Sequence, residues 1–256
     1  MDKQFEVLPK GKKVYFASDF HLGTLPKEQS LEREKRVIRW FNSIENDAAG
    51  IFLLGDIFDF WFEYKRAIPK GFIRLQGKFA DLVDKGIPLI FFTGNHDLWM
   101  FDYFTRELGI PVYRTPQAYN ILGKTFLIGH GDGLGPGDHF YKFLKKIFEN
   151  KAAQWLFRWV HPDVGMKLAH AWSRGSRISN DAKEHGFKGD DEWLWQFCKD
   201  CEKDSHHDYY IFGHRHLPLD LEVGTDSRYI NLGEWVNYNN YAVFDGKKTT
   251  LKTFEG

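Results

Sequence analysis

Five times along this chain a short apolar run ends in a cluster of Gly, Asp, Asn and His. The clusters are Asp19-Phe20-His21, Gly55-Asp56-Ile57-Phe58-Asp59, Gly94-Asn95-His96-Asp97, Gly129-His130-Gly131-Asp132 and Gly213-His214-Arg215-His216. The runs before them, at 14–18, 51–54, 89–92, 125–128 and 209–212, are rich in β-branched and aromatic residues, the pattern of buried strands. Between the first two, Leu31, Val37, Ile38, Phe41 and Ile44 approximate one helical face. Between the next two, Phe72, Leu75, Phe79, Leu82 and Val83 do the same, and Gly86 supplies a stop. Alternating strands and helices predict an α/β sheet with covered faces. In such sheets ligands bind outside the carboxyl ends of the strands, where all five clusters fall.

Further strands are expected at 228–231, 241–244 and 249–253, the last two joined by the tight-turn pair Asp245-Gly246. The expected architecture is a two-sheet α/β sandwich flanked by helices, built from residues 1–133 and 208–256. Residues 134–207 lack a strand pattern and are dense in aromatic and basic side chains. There Phe140, Phe143, Leu144, Ile147 and Phe148 share one helical face, and Trp155, Leu156, Trp159 and Val160 continue the theme up to His161-Pro162. This stretch reads as a helical insertion capping the core.

The clusters have the composition of a metal site with nitrogen and oxygen donors. Carboxylates can bridge two cations, imidazole gives nitrogen, and Asn gives a neutral oxygen; such a set suits Mn, Fe or Zn. Asp-x-His and His-x-His place donors two residues apart, on one side of an extended segment. The alternative, that these groups merely shape loops, would bury many ionisable side chains without a counter-charge, at high cost.

In this order the clusters resemble the calcineurin-like metallophosphoesterases, whose pattern is D-x-H, G-D-x-x-D, G-N-H-D/E, a lone His after a strand, and G-H-x-H. The resemblance spans residues 19–216 and implies a metallophosphoesterase sandwich with two divalent metal ions. By it Asp19, His21 and His216 hold one ion, Asn95, His130 and His214 the other, and Asp56 bridges. It also implies that His96 stabilises the transition state or protonates the leaving group, and that Asp59 holds the His96 ring. Two such cations lower the pKa of a bridging water, giving a hydroxide nucleophile and no phospho-enzyme.

Composition narrows the substrate. Lys plus Arg and Asp plus Glu balance at 35 each, so overall charge makes no case for a nucleic-acid partner. From 140 to 177, however, eight basic residues (Lys142, Lys145, Lys146, Lys151, Arg158, Lys167, Arg174, Arg177) face only Glu149 and Asp163, interleaved with bulky apolar side chains. A basic, aromatic-rich amphipathic helix suits an anionic lipid or membrane surface. The bland reading is a cap whose apolar face is core.

Gly-Asp-Ile-Phe-Asp-Phe-Trp at 55–61, His-Gly-Asp at 130–132 and Leu-Gly-Glu-Trp at 232–235 are similar to the UDP-2,3-diacylglucosamine diphosphatases of lipid A synthesis. That resemblance implies hydrolysis of a UDP-sugar pyrophosphate, substrate contacts from Asp138, Arg174, Ser176 and Asn180, and acyl chains along the insertion. Another nucleotide or small phosphodiester is the rival substrate, and a non-catalytic scaffold of the same fold the rival class. The polar start of the chain lacks a signal-peptide core, and no apolar run approaches a membrane span. A cytoplasmic protein, peripheral on the inner face of the membrane, is expected. Cys198 and Cys201, late in a helical pattern, read as ordinary thiols.

Overall fold

The computed structural model describes residue 5 and residues 7–137, 139–168, 171 and 186–256. β1 (Lys13–Ala17), β2 (Ala48–Leu54) and β3 (Leu89–Phe92) lie side by side and parallel. Their almost unbroken apolar sequences suit a sheet buried on both faces. A two-residue strand, β4 (Val112–Tyr113), extends this sheet beyond β3. The second sheet takes β5 (Gln117–Ile121), β6 (Lys124–Ile128), β7 (Tyr209–Phe212), β8 (Pro218–Glu222) and β9 (Arg228–Leu232) in the order β5-β6-β7-β9-β8. The chain then returns to the first sheet. β10 (Asn240–Phe244) pairs antiparallel with β1, and β11 (Thr249–Thr253) pairs with β10 across the expected hairpin.

The inner faces of the sheets meet in an aromatic core. Phe16 stacks on Phe52 and on Phe126, at 5.3 and 5.9 Å between centroids. Full burial of such a side chain stabilises the fold by roughly 1.5–3 kcal/mol. α1 (Lys27–Ile44), α2 (Ile73–Asp84) and the short α3 (Tyr103–Leu108) cover the outer face of the first sheet through Val37, Trp40, Phe41, Phe79 and Phe104. α3 lacks a cap of its own. Glu63 supplies one, accepting the amides of Asp102 and Tyr103 at 2.7 and 3.1 Å.

The 134–207 stretch contains α4 (His139–Glu149), α5 (Lys151–Phe157), a helical segment at 162–168 and α6 (Trp193–Asp204). Asn150 caps α5, its side chain accepting the amides of Ala152 and Ala153. α6 packs Leu194 and Cys198 on Tyr210, Phe212 and Tyr229, so it covers the outer face of the second sheet. Both cysteines are free thiols, and burial pushes their pKa up. The apolar face of α4 is not core: Phe140, Phe143 and Ile147 are 72%, 60% and 41% exposed. No helix among the described residues is long and apolar enough to cross a membrane.

Candidate metal centre

The five clusters emerge at the carboxyl ends of β1, β2, β3, β6 and β7. Parallel pairing of β1 with β2 and β3, and of β6 with β7, brings the loops of both sheets to the same edge of the sandwich. Two overlapping donor groups result, beside a third made by His21, Asp59 and His96. Asp19, His21, Asp56 and His216 offer atoms within 4.8 Å of one another, as do Asp56, His130 and His214. Asp56 belongs to both. Asn95 Oδ1 lies 3.3 Å from His130 Nε2, which adds it to the second group. All seven sequence-predicted ligands are therefore brought together.

The donors are crowded as a cation site requires. His21 Nε2 and His216 Nε2 are 3.0 Å apart and can share one proton at most. Asp19 Oδ1 stands 3.2 Å from His216 Nε2 and 3.7 Å from His21 Nε2, buried and without a hydrogen-bond partner. Such atoms repel unless positive charge sits among them. His130 Nδ1 donates to the Leu54 carbonyl at 2.6 Å, which leaves Nε2 as the nitrogen that faces the other donors. A side chain on Gly94 would strike the Asp56 carboxylate, and one on Gly213 would strike that of Asp19. These glycines let the loops close around the donors.

Burial disfavours charge on Asp19 and Asp56, yet the surrounding imidazoles outweigh it and hold both carboxyls well below the usual range. Burial pulls His21 down to about 4; burial, then the charge of His130, takes His214 down to about 3. Burial also opposes charge on His130, but the Asp56 carboxylate beside it prevails and lifts its pKa to about 10. Imidazoles in one crevice are thus driven to opposite protonation states. Divalent cations would replace those competing protons.

The backbone is strained here. Among the described residues eight non-glycines have positive φ, and five are candidate ligands: Asp19, His21, Asp56, His214 and His216. Each such conformation costs about 1–3 kcal/mol and persists only where its surroundings over-determine it. The surroundings do so. Arg33, buried in α1, donates to the Phe20 and His21 carbonyls at 3.1 and 2.9 Å. Asp97 accepts the amides of Gly94 and Ile57 at 2.7 and 2.9 Å, tying two ligand loops together. Asp19 Oδ2 accepts the amide of His214, and Asp56 Oδ1 that of His96. Asp97 was signalled by its place in Gly-Asn-His-Asp; nothing in the sequence marks Arg33.

His96 borders the donors with its ring 4.9 Å from that of His21. Its Nδ1 donates to the backbone carbonyl of Asp59 at 3.1 Å, and Asp59 Oδ1 lies 3.8 Å away. The 134–207 stretch reaches the same crevice twice. Tyr141 and Lys145 of α4 donate to Asp132 Oδ2 at 2.6 and 2.8 Å. At the start of α6 Glu192 forms a fully buried ion pair with Arg215. Removing one partner of such a pair costs about 3–5 kcal/mol. Asp138, Arg174, Ser176 and Asn180 lie outside the described residues.

Residues 12–218 match the calcineurin-like phosphoesterase family. The chain is 38% identical to the UDP-2,3-diacylglucosamine hydrolase of Porphyromonas gingivalis, over 95% of this chain and 98% of that one. It is 30% identical to the hydrolase of the same name from Histophilus somni, over 67% of this chain and 71% of that one. Among solved structures the E. coli phosphoesterase Yfce aligns over 91% of this chain and 88% of that one, with 18% identity and a TM-score of 0.42. With its donors gathered at one edge and the family match spanning most of its length, the chain belongs to the calcineurin-like phosphoesterases and is a metal-dependent hydrolase.

Proposed function

We propose that the chain hydrolyses the pyrophosphate of UDP-2,3-diacylglucosamine to UMP and 2,3-diacylglucosamine 1-phosphate. One observation carries this reading. A cavity of about 230 Å³ is lined by Asp59, Asn95 and His96 and also by Phe60, Trp99, Phe148, Phe157 and Leu168. The reacting edge and an apolar chamber walled partly by the insertion are therefore one space. Phe157 closes it against Phe62 and Trp99, at 4.8 and 4.7 Å between ring centroids. A small polar phosphodiester gains nothing from such walls, whereas an acyl chain gains roughly 0.8 kcal/mol per buried methylene. The P. gingivalis relative carries this substrate in its name.

Asp19, His21, Asp56 and His216 would hold one divalent ion, and Asp56, Asn95, His130 and His214 the other; manganese fits these donors. When bound, the two cations supply a water activated at neutral pH and neutralise charge on the phosphoryl oxygens. His96, 9% exposed at the cavity wall, points a donor toward the phosphoryl or leaving oxygen while the Asp59 loop fixes its ring. Asp138, Arg174, Ser176 and Asn180 complete the headgroup contacts. Phe140, Phe143, Trp155 and Trp159, with Lys142, Lys146, Lys151 and Arg158 around them, seat the 134–207 cap on the anionic inner face of the membrane.

The test is direct. Purified chain with Mn²⁺ releases UMP from UDP-2,3-diacylglucosamine and turns over UDP-N-acetylglucosamine poorly. No UMP with any divalent ion would overturn the assignment. His96→Ala lowers kcat by roughly 10²-fold while both ions stay bound; loss of an ion would show that His96 is a ligand instead.

A further inference from the structure

The return leg of the insertion lands on one ligand. Trp193, half-buried at the start of α6, stacks on the His214 ring with centroids 5.7 Å apart and planes at 28°. The Arg215 guanidinium lies 5.7 Å from the centre of the same indole. It also donates twice to Glu192, from Nε at 2.6 Å and from Nη2 at 3.1 Å. His214 needs this support. The Arg215 amide bonds back to the Gly213 carbonyl at 2.8 Å, which places His214, with φ of 69°, at the centre of a γ-turn of the rare, strained hand. An offset stack and a two-point ion pair, on adjacent residues, fix both the turn and the ring. The other donor group is supported differently: His21 meets the rings of His96 and His216, and its loop hangs on Arg33.

We propose that Trp193, Glu192 and Arg215 are positioning residues for His214, through which the insertion sets the affinity of one metal site and leaves the other unchanged. This rests on the two-metal reading above. The experiment titrates the full chain, stripped by chelator, with Mn²⁺ alone in a calorimeter, with bound metal counted by elemental analysis. Trp193→Leu keeps apolar bulk and removes the stack. It is expected to retain one ion at the unmodified affinity and to weaken the other by about 10- to 100-fold. Trp193→Phe, which can stack, restores the second ion. Unchanged binding of both ions in Trp193→Leu overturns the proposal, as does equal weakening of both in the Leu and Phe variants, the mark of a merely structural role. An unmodified chain that takes fewer than two ions overturns the two-metal reading instead.

Discussion

Asp19, Asp56 and Asp97 lie buried at the strand ends, each accepting a backbone amide, whereas Phe140, Phe143, Trp155 and Trp159 stand largely in solvent on the insertion. The crevice spends stability on charge and backbone strain, and the 134–207 stretch leaves apolar surface unburied. Neither is economical for a chain selected on stability alone. Each deficit specifies what relieves it. Crowded carboxylates and imidazoles suit cations, and the lipid substrate proposed above would cover the exposed aromatic face.

Replacing the carboxylate shared by both donor groups strikes this contrast hardest. Asp56→Asn should lower kcat/KM on the order of 10³-fold, several kcal/mol of lost stabilisation, in initial rates with Mn²⁺. A loss below tenfold would break the crevice side of the comparison. The border between the regions is sharpened by Glu202, which lies in the 134–207 stretch yet is held like a core group. Burial opposes its charge, but hydrogen bonds from Tyr210, His206 and Ser227 prevail and hold its pKa at about 2. A carboxyl depressed on folding stabilises fully above its unfolded pKa, and that contribution is lost as pH falls through the folded value. Glu202→Gln should therefore cost about 2 kcal/mol at pH 6 in urea melts, with the gap to the unmodified chain closing between pH 4.5 and 2. A gap independent of pH would remove Glu202 from the core-like side. The smallest effect belongs to the chamber wall. Phe157→Asp should raise KM for the diacyl substrate about tenfold and leave an acyl-free phosphodiester unaffected; equal effects on both would detach the insertion from substrate choice.

The donor clusters and the parallel strands were legible because both are local patterns: an apolar run, then a glycine-flanked donor. β5 and β8 were not, since as edge strands they alternate weakly and bury few side chains; in β5 only Tyr119 and Ile121 are buried. α3 is six residues long and takes its cap from Glu63, so it carries no start signal of its own. Helical spacing in α4 was readable, but not which face meets solvent, because an exposed apolar face and a core face share one periodicity. The supports of the centre are non-local. Glu192 is 23 residues from Arg215, and Arg33 acts through carbonyls that no side-chain pattern marks.

β10 lies between β1 and β11, and it comes from residues 240–244. Until those residues leave the ribosome β1 has an open edge, and until residues 213–216 have emerged the crevice lacks His214 and His216. An emerging chain therefore presents Asp19, His21 and Asp56 as an incomplete trap, and long-range pairing closes it late and slowly. A cation that needed donors from both sheets would meet its full set only after that pairing.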